Sequence, residues 1–152
     1  RKNDLPTRKT TTAPNDKYRQ DALAAAQAAL DKKGIEPVLL DLTQSGSYTD
    51  YLLITSGQAD RTVRAIADGI VEVMKERGAR LLGAEGLREG RWALLDFGDL
   101  VVHVFEHPLR EFYDLEGMWF DAPRLPLQIP AEQRLEAQSA YRYDDDDQSV
   151  RT

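Results

Sequence analysis

Residues 91–105 read RWALLDFGDLVVHVF, and no other stretch leaves the fold so few options. Two apolar runs flank Gly98-Asp99, the residue types a tight hairpin turn requires. Closing on a two-residue turn sets Phe97 opposite Leu100, Asp96 opposite Val101 and Leu95 opposite Val102. It continues with Leu94 opposite His103, Ala93 opposite Val104 and Trp92 opposite Phe105. Side chains alternate along a strand, so this register divides the ribbon into two faces. One face holds Ala93, Leu95, Phe97, Leu100, Val102 and Val104 and is wholly apolar. The other holds Trp92, Leu94, Asp96, Val101, His103 and Phe105. The apolar face must pack on helices. The mixed face needs a cover, or is itself a recognition surface.

The rest of the chain supplies those helices and more strand. Residues 16–33 carry Leu23, Ala26 and Leu30 at helical spacing, with Gly34 at the stop. Residues 36–42 read as a strand, and 50–55 (DYLLIT) as a strand buried on both faces, because its apolar run is unbroken. The strongest helix is 60–77. Val63, Ile66, Ala67, Ile70, Val73 and Met74 make one stripe, Asp60 fits the N-cap and Gly78 the stop. Gly69 lies inside it and predicts close packing of helix on sheet. Residues 80–85 read as a weak strand. After the hairpin, Pro108 suits a first helical turn. Leu109, Phe112 and Leu115 or Glu116 follow at helical spacing, and Gly117 closes the helix. Met118-Trp119-Phe120 then reads as a lid on the core, with Trp119 inside it. The order α-β-β-α-β-β-β-α predicts an α/β fold: a mixed, mostly five-stranded sheet packed with helices. A parallel crossover runs through the 60–77 helix, and the hairpin makes the remainder antiparallel.

Length and charge bound the organisation. At 152 residues the chain fits one domain with tails. Residues 1–15 are polar with two prolines and read as a disordered tail, 16–122 as the domain, and 123–152 as an acidic, disordered tail ending in DDDD at 144–147. A short helix fits at 131–140. The net charge is −6. An acidic body argues against sequence-specific nucleic-acid binding and favours a basic protein partner. Apolar runs are too short to cross a bilayer, so no membrane is expected. There is no cysteine, which excludes disulfides and fits the cytoplasm. The first residue is Arg1 rather than Met, so an organellar compartment stays open.

Catalytic chemistry finds little support. SGSYTD at 45–50 resembles the head of a nucleotidyltransferase site, where Gly-Ser cradles phosphate and strand carboxylates share Mg²⁺. That site needs two carboxylates on one strand face, and Asp50 is followed by Tyr51 and Leu52. Asp96 offers a third ligand without the pair. His103 and His107 are four apart, which on a strand spans about 13 Å, too far to share a metal. The expectation is no catalytic residue, no metal and no cofactor. A divergent nucleotidyltransferase stays as a rival, as does a plain dimeric scaffold.

Two longer patterns carry a resemblance. WxLLDxGDxVVHV covers Trp92, Leu94, Leu95, Asp96, Gly98, Asp99 and Val101–Val104. RxxYxLExxW covers Arg110, Tyr113, Leu115, Glu116 and Trp119. With DLTQSGSYTDYLLITSG and RTVRAIADGIVE ahead of them, the chain resembles the ribosomal silencing factor, or Iojap, family over residues 20–122. The resemblance implies a nucleotidyltransferase-like sheet without the catalytic carboxylates. It implies a translation repressor that binds the large ribosomal subunit through large-subunit ribosomal protein fourteen and blocks subunit joining. It leaves a possible homodimer, and an organellar relative acting in large-subunit assembly. The partner surface expected is Trp92, Leu94, Asp96, Asp99, Val101, His103, Arg110, Tyr113 and Glu116. Trp92 is its anchor, or else a cap on the sheet edge. Asp99 pairs with a partner cation, or only makes the turn. Arg110 and Glu116 meet the partner, or only each other.

Overall fold

The structure is a computed structural model that describes residues 14–138. In chain order its elements are α1 (Pro14–Asp31), β1 (Ile35–Asp41), β2 (Tyr51–Gly57), α2 (Asp60–Glu76), β3 (Gly83–Glu85), β4 (Trp92–Asp96), β5 (Leu100–Glu106), α3 (His107–Tyr113) and α4 (Leu115–Met118). The hairpin β4–β5 forms in the register its turn dictates, from Trp92 opposite Phe105 to Asp96 opposite Val101. Phe97 N–H donates to Leu100 O at 2.8 Å, and Gly98 takes the left-handed conformation (φ +87°) that a side chain resists.

Five strands line up as β1-β2-β5-β4-β3. Only β2 and β5 run parallel; β1, β4 and β3 pair antiparallel with their neighbours. The strand parallel to β2 is therefore β5, and the crossover contains α2, β3 and β4 rather than α2 alone. Every residue of β2 is buried, as its unbroken apolar run requires of a central strand.

The two faces of the sheet carry two cores. On one, the apolar hairpin face and Leu39, Tyr51 and Leu53 pack against α1 and α2. On the other, Val38, Leu40, Leu52, Ile54, Val101 and Phe105 are covered by Leu109, Leu115, Trp119 and Ala122. The mixed face of the hairpin thus has a partial cover, made of α3, α4 and the chain just beyond them.

Four local expectations change. Ala59, not Asp60, is the N-cap of α2; Asp60 is the first helical residue, and its Oδ1 accepts from Arg61 N–H at 2.8 Å. Gly69 faces the Lys32 side chain at the end of α1, so it eases helix–helix rather than helix–sheet contact. The helix expected from Pro108 to Gly117 breaks at Asp114, which adopts the left-handed conformation (φ +48°) between α3 and α4. Residues 123–138, grouped with an acidic tail by composition, run back along the body. Asp41 N–H donates to Pro123 O and Leu125 N–H to Leu39 O, both at 2.9 Å, and Leu125 is buried. One buried leucine and two main-chain bonds leave little trace in composition. A 3-10 turn follows at Ala131–Gln133, with helical residues at 135–138. Residues 1–13 and 139–152, with the acidic run at 144–147, lie outside the described residues.

Gly34 offers a direct check on the α1–β1 corner. Lys33 takes the left-handed position that ends α1, and Gly34 N–H donates to Ala29 O at 2.8 Å. A Cβ at Gly34 would sit 2.8 Å from Ala29 O and 2.9 Å from Thr55 Oγ1. Gly34→Ala is expected to cost about 1–3 kcal/mol of stability, since backbone must shift to admit the methyl. Urea denaturation measures it, and a neutral substitution would contradict the close approach.

Candidate partner-binding face

The site grows from Trp92, the first residue of β4. Its indole lies on the mixed face with the Phe105 ring 4.9 Å away and the Tyr113 ring of α3 4.7 Å away. Its Nε1–H donates to His103 Nδ1 at 3.0 Å. Trp92, Leu94, Asp96, Asp99 and His103 are all partly exposed, and Tyr113 is 46% exposed. Trp92, Leu94 and His103 line a depression of about 250 Å³ with Glu85 and Gly86. The structure thus places five of the nine expected residues, Trp92, Leu94, Asp96, His103 and Tyr113, along one face of the ribbon and its flanking helix, while Asp99, in the turn, lines a depression on the α1–α2 side with Tyr18, Met74 and Leu82.

The other three have internal roles. Val101 is buried in the second core, in one cluster with Leu40, Leu52 and Phe105 on which Leu109, Leu115, Trp119 and Ala122 pack. Arg110 is 2% exposed. Its five N–H donors meet five acceptors. Nη1 donates to Ile35 O at 2.8 Å and Ser56 Oγ at 3.1 Å. Nη2 donates to Glu36 O at 2.8 Å and Glu116 Oε2 at 3.0 Å, and Nε to Glu116 Oε1 at 3.4 Å. Arg110 therefore ties α3 to β1, β2 and α4, and leaves nothing to offer a partner. Glu116, largely buried, is its counter-ion. The ion-pair alternative for these two residues is the one the structure contains.

The carboxylates differ in character. Asp96 Oδ1 accepts from Gly98 N–H at 2.8 Å and braces the turn. Asp99 has its main chain tied to Tyr51 N–H. Partial burial and then the nearby Asp50 charge push the Asp99 carboxyl above its ordinary value. That environment rewards an approaching cation. Among the described residues no three His, Cys, Asp or Glu side chains converge on a metal-sized site.

His103 has its pKa lowered to about 4 by burial. Accepting from the Trp92 indole also requires an unprotonated Nδ1. The unfolded chain binds a proton at this residue near pH 6.5 and the folded chain does not. Stability is therefore complete above about pH 6.5 and falls as pH drops toward 4, by up to about 1.4 kcal/mol per pH unit. His103→Gln should flatten that slope when urea midpoints at pH 7 and pH 5 are compared. An unchanged slope would assign the acid sensitivity elsewhere.

Pattern reasoning missed the exposed apolar side chains beside this face. Phe112 is 77%, Met118 69% and Phe120 83% exposed. Helical spacing placed Phe112 inward and the Met118–Phe120 run in a lid, of which only Trp119 packs on the core.

The scaffold is an α/β sheet with helices on both faces and one partly exposed aromatic patch. Residues 15–151 match the family described as "Ribosomal silencing factor during starvation", and the chain belongs to that family. It is 42% identical over 112 residues to ribosomal silencing factor RsfS of Bacillus subtilis, covering 73% of this chain and 95% of the relative. The crystal structure of a Chromobacterium violaceum protein superposes with a TM-score of 0.66 at 31% identity, covering 75% of this chain and 94% of the other. A mouse protein, "Mitochondrial assembly of ribosomal large subunit protein 1", is 35% identical over 75 residues, 47% of this chain and 33% of its own. Membership sets the chain among ribosome-associated regulators of translation, a family not known for enzymes. No helix among the described residues is long and apolar enough to cross a membrane.

Proposed function

We propose that this chain binds the large ribosomal subunit through large-subunit ribosomal protein fourteen and sterically blocks joining of the small subunit. The observation that carries this reading is the Trp92–Tyr113 ring pair, partly exposed on the mixed face of the hairpin, with Glu85 and Asp96 on the neighbouring strand ends. Trp and Tyr are the residues most often responsible for the bulk of binding energy at an interface. Carboxylates around them suit a ribosomal protein, whose contact with RNA demands basic surface. No chemical step is needed, since occupancy of the shared surface is sufficient. A cytoplasmic setting follows from the same reading.

Co-sedimentation with isolated large and small subunits, followed by a joining assay, tests it. Binding to the large subunit alone with loss of joined particles is expected. Binding should weaken from 0.1 to 0.5 M salt if the carboxylates steer it. Attachment to the small subunit, or to neither, sinks the proposal. A role in large-subunit assembly is a second reading, favoured by the name of the mouse relative. It predicts immature large subunits when the chain is depleted, without a block in joining.

A further inference from the structure

A cavity of about 330 Å³ opens between α1, the end of α2 and the β4–β5 turn, on the opposite side of the sheet from Trp92. Its floor is apolar. Met74, Phe97 and Leu100 are buried there, and Tyr18 packs against the same core. Gly78, just past α2, takes the left-handed conformation (φ +80°), and beyond it Arg80 and Leu82 line the wall, where Leu82 stays 61% exposed. The Lys17 and Asp21 charges on the α1 wall are already matched. Lys17 Nζ donates to Asp21 Oδ2 at 2.8 Å, and Arg77 Nε donates to Asp21 Oδ1 at 2.7 Å. Arg80 and Asp99 line the same cavity and differ from them: neither side chain pairs with another described residue.

We infer that this cavity is a binding site for a free α-amino acid with a large apolar side chain. The side chain lies against Met74, Leu82, Phe97 and Leu100, the ammonium meets Asp99 and the carboxylate meets Arg80. The lining is that of a small-molecule site, apolar for the most part with a few polar groups to fix orientation. Charge selects the ligand class. A simple organic anion would use Arg80 but face the Asp99 carboxylate, and a simple amine would use Asp99 but face the Arg80 guanidinium. A zwitterion satisfies both at once, and the guanidinium fork is well shaped to take a carboxylate. The Asp50 charge near Asp99 adds to the pull on an ammonium. A metal ion is the poorer occupant, since Asp99 is the one carboxylate on the wall among the described residues that no cation already holds.

The test is an NMR titration of the full chain with L-leucine, followed at the backbone amides. Shifts confined to the end of α2, the facing residues of α1 and the β4–β5 turn are expected, saturating with a dissociation constant of about 1 mM. Isoamylamine, which lacks the carboxylate, and isocaproate, which lacks the ammonium, should each bind at least about tenfold more weakly. Arg80→Gln and Asp99→Asn should each lower affinity about fivefold or more. Arg80 is exposed, and asparagine at 99 leaves the main-chain bond to Tyr51 in place, so both variants should keep the parent spectrum away from the cavity. A spectrum unchanged by L-leucine up to about 20 mM would overturn the inference. So would isoamylamine or isocaproate binding as tightly as leucine, which would give the cavity to a plain cation or anion. Unchanged affinity in both variants would place the ligand elsewhere, and guanosine monophosphate shifting the same amides at lower concentration would assign a nucleotide instead. No ribosomal subunit takes part, and neither Trp92 nor Tyr113 lines this cavity, so the outcome is independent of the large-subunit proposal.

Discussion

Arg110→Ala is expected to remove on the order of 3–5 kcal/mol of folding stability, the range found when one partner of a buried ion pair is deleted. The loss comes from what remains behind. Glu116 keeps its charge without the guanidinium, and the carbonyls of Ile35 and Glu36 lose buried or part-buried donors. Arg110→Lys should recover little. An ammonium has three donors on one atom and cannot span the acceptors that the planar fork reaches together. Urea denaturation of both variants measures the effect. A loss below about 1 kcal/mol in the alanine variant would show that the five contacts are incidental to the fold. The variant also separates support from contact. Any fall in ribosome binding would accompany unfolding and would vanish at a temperature where the variant is fully folded.

Trp92→Ala carries the second large effect. Under the proposed function it should weaken large-subunit binding roughly 30-fold or more, the loss of a hot-spot residue worth about 2 kcal/mol. It should also cost about 2–3 kcal/mol of stability, less than a fully buried tryptophan, since one side of the ring is open. Phe105 and Tyr113 lose a stacking partner, and His103 Nδ1 loses its donor. Tyr113→Ala resolves the two contributions. Its ring is half exposed, so stability should change by about 1 kcal/mol or less while binding still falls. If both variants sediment with large subunits as the parent does, the hairpin face is the wrong surface.

The hairpin could be read from the chain to the residue, because period two and a Gly-Asp turn admit one register. The same rule led astray at Val101. Alternation placed it on the face with Trp92 and His103, which is correct. Whether that part of the face meets water depends on the side chains at 109–122 that pack on the second core, contributed later in the chain. Arg110 escaped for a related reason: the groups that bury it come from positions 35, 36, 56 and 116. The spacing of Leu109, Phe112 and Leu115 reads through Asp114 as one helix. The left-handed turn there re-aims the chain so that Leu115 of α4 joins Leu109 on the core, while Phe112 stays on the solvent side of α3.

The segment at 123–125 has a bearing on assembly. By bonding to Asp41 and Leu39 it occupies the outer margin of β1 at that end, while among the described residues no strand pairs with the outer margin of β3, which is three residues long and exposed throughout. A sheet with one occupied and one open margin has a single place to add a strand. Two copies that met through β3 would present only occupied margins to the outside. Association along the sheet through β3 would therefore favour a pair over a longer array.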